Sequence, residues 1–292
     1  MADQDATRAN VMPLGEESLR LFLERLIADG PPTRREPEQP IPVERFFSPE
    51  QDCKPGRSAT VIACREELAD LFPDIPDLTI RRRFRSGGWG RLKRFNSLVL
   101  GQTMLATSSL EFDAMADLEL DPSNCWYAEQ PLRLRYDFDG AWRTCRPDLV
   151  MWRTNSLEAI EVKYEGQAAL QEERWAAICA GFGSIGMSYR VVTERHLRRK
   201  PRFENVRCVY SCRHVRVDDR VVGQALEWLS AAPSATAGEL AKACDIGLNE
   251  VWSMVRRLKV AADLDMGPLG SETPVSTRVR QSGPFGREAQ AG

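Results

Sequence analysis

Arg146-Pro147-Asp148 and Glu161-Val162-Lys163 are the two short motifs of this chain best suited to chemistry. Asp148 is expected on the return strand of a hairpin, and Glu161 and Lys163 on the strand that follows. Side chains alternate along a strand, so Glu161 and Lys163 share one face with Ala159, while Ile160, Val162 and Tyr164 point to the other. Two carboxylates converging beside an ammonium repel each other, and each loses solvation. A divalent cation offsets both penalties. Hard cations such as Mg²⁺ prefer carboxylate oxygens and waters. A cation held there activates a water for attack on a phosphodiester, and the lysine can orient that water or stabilise charge developing on phosphorus. Taken singly, the pieces are weak. Glu-Val-Lys in a strand is ordinarily a half-exposed segment with a surface ion pair, and Pro-Asp is ordinarily a turn.

The elements around these motifs give them more weight. A helix is expected over Ser108–Leu120, with Ala114, Met115 and Leu118 at +3, +4 and +7 from Glu111. Glu111 therefore sits on the face expected to pack against a sheet, where a carboxylate is unusual without a partner. A metal-ligand role shared by Glu111, Asp148 and Glu161 accounts for it. The hairpin is read from Leu132, Leu134, Tyr136 and Phe138 alternating with Arg133, Arg135, Asp137 and Asp139, a period of two. Asp139-Gly140 marks its turn, and the return strand is expected from about Trp142 to Trp152. Further strands are expected over Leu157–Tyr164, Tyr189–Thr193 and Val206–Ser211. A helix carries Trp175, Ile178, Cys179 and Phe182 on one stripe, and a short helix covers Glu194–Lys200. Helices on either side of a hairpin-containing sheet make residues 79–216 a mixed α/β domain.

The flanks read differently. Residues 1–78 form a partly ordered extension, with one helix suggested by Leu19–Ile27, a proline-rich stretch, and a short helix near Arg65–Leu71. Residues 217–266 read as helices only, with the capping-box pattern Thr236-Ala237-Gly238-Glu239 opening the second. A third helix over Asn249–Val260 is expected to bury Val251, Val255 and Leu258 and to expose Asn249, Ser253, Arg256, Arg257 and Lys259. The spacing suggests a helix-turn-helix. Residues 267–292, rich in Gly, Pro, Ser and charge, are expected to be a disordered tail.

The formal charge of −2 on 292 residues says nothing about a polyanionic partner, but its distribution does. Thr79–Leu110 holds seven Arg/Lys and no Asp or Glu, and Arg190–Arg216 holds nine Arg/Lys against two Glu. Arg81, Arg82, Arg83, Lys93 and Arg94 in the first block, with Arg256 and Arg257, are the candidate DNA contacts. Of the eight cysteines, only Cys208 and Cys212 are close in sequence, and they lack a second half-site for zinc. No apolar run approaches the ~20 residues of a membrane helix. A cytoplasmic protein with reduced thiols is expected.

The succession helix-Glu, strand Pro-Asp, strand Glu-x-Lys matches the PD-(D/E)XK nuclease core. Over about Ser97–Arg213 the chain resembles, more narrowly, the TnsA-like endonuclease subunit of heteromeric transposases. The likeness is carried by Ser109-Leu110-Glu111, Trp126-Tyr127-Ala128-Glu129-Gln130-Pro131, Arg146-Pro147-Asp148, Ile160-Glu161-Val162-Lys163 and Val191-Val192-Thr193-Glu194. It implies an α/β fold, a restriction-endonuclease-like mixed sheet flanked by helices and followed by a small all-α winged-helix-like domain. It also implies Mg²⁺-dependent cutting of the 5′ strands at transposon ends, with Mn²⁺ able to substitute. Glu111, Asp148, Glu161 and Lys163 fall on the catalytic positions and Gln130 on a site-supporting one. The implied partners are double-stranded DNA, a DDE-class transposase subunit and an AAA+ ATPase regulator. The competing expectations are a restriction- or repair-type nuclease of the same fold, and a non-catalytic DNA-binding scaffold.

Overall fold

The computed structural model describes residues 59–65, 68, 92–121, 124–153, 156–232 and 234–278. Arg81, Arg82, Arg83, the expected helix at Leu19–Ile27 and most of Arg65–Leu71 lie outside them. Among the described residues no helix is long and apolar enough to cross a membrane.

The central sheet has the order β4-β7-β8-β9, from β4 (Asn124–Glu129), β7 (Leu149–Arg153), β8 (Ser156–Val162) and β9 (Ser188–Val192). β4, β7 and β8 run antiparallel and β9 joins β8 in parallel. A second sheet has the order β1-β5-β6, from β1 (Thr60–Cys64), β5 (Leu132–Phe138) and β6 (Ala141–Cys145). β1 lies in the stretch expected to be an extension, yet its antiparallel pairing with β5 makes it part of the α/β unit. β2 (Lys93–Ser97) and β3 (Gln102–Ala106) form a separate hairpin.

The expected return strand Trp142–Trp152 is two strands, not one. Pro147 has no N–H to donate and biases Arg146 toward extended backbone, so the ladder with β5 stops at Cys145. Beyond it the chain changes partners, and β7 pairs with β4 and β8. The turn between β5 and β6 has positive φ at both Asp139 (53°) and Gly140 (75°), as a two-residue hairpin loop requires.

The central sheet is covered on both faces. α1 (Ser109–Leu120) starts where the Ser108 side chain accepts the Glu111 backbone N–H, satisfying a donor the first turn leaves open. It packs Leu110, Ala114 and Met115 against Leu149, Met151, Ile160 and Val162. The short α2 (Glu165–Ala169) is followed by α3 (Glu172–Ser184), which packs Trp175, Ile178 and Phe182 on the other face, against Val150, Ala159, Tyr189 and Val191. Gly181 lets α3 lie directly on β5. A Cβ there would come within 3.2 Å of Ala59 Cβ and Leu134 Cδ2 and 3.3 Å of Tyr136 Cβ.

After α4 (Glu194–Leu197), residues 202–211 form the helix α5 (Arg202–Ser211), where a strand over Val206–Ser211 was expected. Phe203, Val206 and Tyr210 recur at three- and four-residue intervals, a helical stripe rather than an alternation, and Val206 and Val209 are buried. The C-terminal unit holds α6 (Asp219–Ala231), α7 (Ala237–Ala243) and α8 (Leu248–Arg256). It is not all-α. β10 (Ala235–Thr236), β11 (Val260–Ala262) and β12 (Pro274–Thr277) form an antiparallel sheet in the order β10-β12-β11. β12 lies inside the stretch expected to be a disordered tail. Strands of two to four residues are too short to leave a period-two pattern in the sequence.

One apolar cluster runs from α1 and the central sheet through α5 into α6, α7 and α8, so the boundary at residue 217 is not a break in packing. Arg256 fixes the join. Expected on an exposed polar face, it is 5% exposed, its Nη2 donates to the Asn96 carbonyl at 2.8 Å, and its guanidinium stacks against Phe95 and Tyr210. Its Nη1 approaches Glu119 Oε1 at 3.4 Å. Glu119, 1% exposed, also accepts from Ser97 Oγ, Tyr127 Oη and the backbone N–H groups of Leu98 and Val99. A buried carboxylate needs such donors. Ser253 is likewise buried, donating to the Val215 carbonyl at 2.7 Å. Asn249, Arg257 and Lys259 are the exposed members of the expected face.

Candidate active site

The site forms where β7 begins and β8 ends. Leu149 pairs with Ile160, and extending that antiparallel register by one residue sets Asp148 opposite Glu161. Residues directly opposite each other share a face, and like charges there are destabilising. Lys163 offsets the conflict. Its Nζ lies 3.0 Å from Asp148 Oδ2 and 2.7 Å from Glu161 Oε1. β8 ends at Val162, one residue short of Lys163 and two short of the expected end. The Lys163 backbone is still held, because its N–H donates to the Val192 carbonyl at 3.1 Å. Asp148 is fixed a second time by the Val162 N–H, which donates to Oδ2 at 2.8 Å.

The electrostatics follow from burial. The Asp148 and Glu161 side chains are 12% and 13% exposed. Desolvation raises the pKa of Asp148, and the charge of Glu111 adds to the rise, against the lowering by Lys163 and the Val162 N–H. Desolvation, then repulsion from Asp148, lifts Glu161 to about 7. Burial works against the Lys163 ammonium, but the two carboxylates outweigh it and hold its pKa above the usual value. The result is two reluctant carboxylates sharing one cation.

Glu111 is at the first turn of α1, and that helix covers the sheet face opposite the one that Ala159, Val150 and, by strand alternation, Glu161 share. Its charge is felt by Asp148, but its oxygens accept from the Thr107 N–H at 2.7 Å and the Thr107 hydroxyl at 2.6 Å. Among the described residues no group of three His, Cys, Asp or Glu side chains is placed to hold a metal ion. The donor set on hand is therefore the Asp148–Glu161 pair. It fits Mg²⁺, which is commonly held by one or two carboxylates with waters filling its remaining positions. The raised carboxyl pKa values are what a bound dication would reverse.

Gln130 borders the site. Its N–H donates to the Asp148 carbonyl at 3.0 Å, extending the β4–β7 ladder, and its Oε1 lies 3.4 Å from Arg146 Nη1. Lys93 and Arg94 are exposed on β2, where Lys93 Nζ donates to Ser109 Oγ at 2.8 Å.

Other groups around Glu161 went unnoticed in the sequence. Arg174 on α3 donates to Tyr136 Oη and Gln171 Oε1, and its charge eases the burden on Glu161. Tyr189 is set beside Ala159 by the parallel β8–β9 register. Burial, then Glu161, Cys145 and Asp148, push its hydroxyl pKa upward. Burial and Glu161 push the Cys145 thiol up to about 12. Pairing the Tyr189 strand with the Glu161 strand was the available signal for Tyr189. Arg174, one residue before Trp175 on the α3 stripe, has none that local pattern supplies. Arg146 is lowered by burial and then by Arg133.

No family model matches the chain, and no curated protein matches it.

Proposed function

We propose that the protein is a Mg²⁺-dependent DNA endonuclease of the PD-(D/E)XK type. The observation that carries this reading is Lys163 Nζ held by both Asp148 Oδ2 and Glu161 Oε1 at the end of a buried sheet. A structural ion pair does not need a second carboxylate that must be forced to ionise.

Asp148 and Glu161 would hold the metal, which supplies a Lewis acid and a water of lowered pKa. Lys163, ionised throughout the neutral range, places a positive charge where negative charge builds on the phosphate, in a site with little solvent to screen it. The Val162 N–H and the Gln130–Asp148 backbone bond keep Asp148 from swinging away. Arg174 holds positive charge near Glu161 and favours its ionised form.

The finer reading is the TnsA-like role, cutting 5′ strands at transposon ends beside a DDE-class transposase and under an AAA+ regulator. It rests on the motif succession. The C-terminal unit, three helices with a three-stranded antiparallel sheet, supports a winged-helix-like reading. Its third helix turns Trp252, Ser253 and Arg256 into the protein, which favours a fixed module over a helix laid freely into a groove.

Nicking of supercoiled plasmid with Mg²⁺ or Mn²⁺, beside calorimetric titration of the same metals, tests the core claim. The parent is expected to nick and to bind one metal. Asp148→Ala and Lys163→Ala are expected to abolish nicking while still unfolding in one cooperative transition, Lys163→Ala at a lower midpoint because it leaves two buried carboxylates without their cation. Parent-like cutting by both variants overturns the assignment. Adding the transposase partner and mapping the cut strand tests the finer role.

A further inference from the structure

The outer face of β5 and β6 carries charge that nothing described in the fold neutralises. Leu132, Leu134 and Tyr136 point inward and are buried, while Arg133 and Arg135 between them are exposed. β6 is an edge strand, exposed from Ala141 through Thr144. Leu134 pairs with Cys145, the last residue of β6, and the next residue, Arg146, is close enough to Arg133 for the two charges to repel. Like charges set close together are destabilising. Among the described residues, none of Arg133, Arg135 and Arg146 pairs with a carboxylate. The side-chain hydrogen-bond partner of Arg146 is the neutral Gln130.

Arg135 is further prepared for a ligand. Its guanidinium lies 4.7 Å from the centre of the Trp142 ring, and Trp142 is 50% exposed. Stacking fixes the guanidinium plane and leaves its N–H edges free, so binding a planar or tetrahedral anion costs little further ordering. The face also has a direction. Asp139 sits in the turn itself, so the turn end repels an anion. At the other end Arg146 meets Gln130, whose own N–H donates to the Asp148 carbonyl at 3.0 Å.

We infer that this face, Arg133, Arg135 with Trp142, and Arg146, is the track along which the phosphates of double-stranded DNA reach the Asp148–Glu161–Lys163 site. The inference rests on the nuclease reading and adds where the substrate lies. It adds the hairpin that precedes the site to the candidate phosphate contacts. DNA phosphates supply regularly repeated anions, and arginines met in succession along one face neutralise them with release of counterions.

The test is fluorescence anisotropy of the full chain with a labelled 30-base-pair duplex, in EDTA, across a range of salt. The parent is expected to bind with a steep dependence of log K on log salt. Arg133→Ala/Arg135→Ala/Arg146→Ala is expected to weaken binding by roughly 10- to 100-fold and to lower the slope by about 2 to 3, close to one unit per lost phosphate contact. The corresponding triple lysine variant keeps the charge and should keep most of the slope. Arg220→Ala, at an exposed position in the first turn of α6, should match the parent. Urea midpoints of all variants check the fold. A triple alanine variant that binds with the parent's affinity and slope overturns the track and leaves the nuclease reading standing. A parent that shows no salt-dependent DNA binding overturns both.

Discussion

Replacing Glu161 with Gln should change how stability depends on pH, in a direction the site geometry fixes. In the metal-free protein the Glu161 carboxyl is lifted from 4.5 to about 7, so the folded state holds a proton that the unfolded state releases. Stability therefore falls as pH rises through that window, because deprotonation is easier in the unfolded chain. The lift corresponds to a loss of at most about 3 kcal/mol by pH 8. Lys163 works in a different window. Its raised pKa gives a contribution that is constant below its unfolded value and lost only at strongly alkaline pH. Urea unfolding of parent and Glu161→Gln at pH 5, 6, 7 and 8 in EDTA reads the difference directly. The parent is expected to lose stability across the series relative to the variant, with the gap between the two curves changing by about 2 to 3 kcal/mol. Saturating Mg²⁺ at pH 8 should stabilise the parent and do little for the variant, since a ligand that binds only the folded state raises its stability by mass action. Curves that stay parallel to within about 0.5 kcal/mol would refute the view that Glu161 is held as a strained, partly protonated carboxyl.

Arg256→Met leaves Glu119 buried with one cationic partner fewer and should cost about 2 to 4 kcal/mol, moderated by the four other donors to that carboxylate; a loss below about 1 kcal/mol in urea unfolding would show that the apolar cluster alone joins α8 to the sheet. Gly181→Val pushes a branched side chain against Ala59, Leu134 and Tyr136 and should cost about 2 kcal/mol by overpacking; an unchanged thermal midpoint would mean that α3 is free to lift from β5.

Local sequence carried much of the site. The α1 stripe, the alternation of β5 and the Asp139-Gly140 turn are each set by neighbours within a few residues, where period and turn chemistry act. The Glu-Val-Lys alternation likewise put Glu161 and Lys163 on one side of their strand. Helix α5 was misjudged because a short apolar run satisfies both periods unless its spacing is weighed. The short strands of the C-terminal sheet, β12 among them, carry no periodic signal at all.

What folding alone decided is which distant residues meet. Asp148 faces Glu161 only because Pro147 ends one ladder and lets β7 begin another against β8. Lys163 can bridge the pair only because the β7–β8 register brings both carboxylates within reach of its ammonium. Arg256 has the same composition-level reading as Arg257, yet one is sealed beneath Phe95 and Tyr210 and the other is exposed. Local pattern is written in the spacing of side chains along one element, whereas burial and charge partnership depend on what packs across it, and that is settled by contacts between segments far apart in the chain.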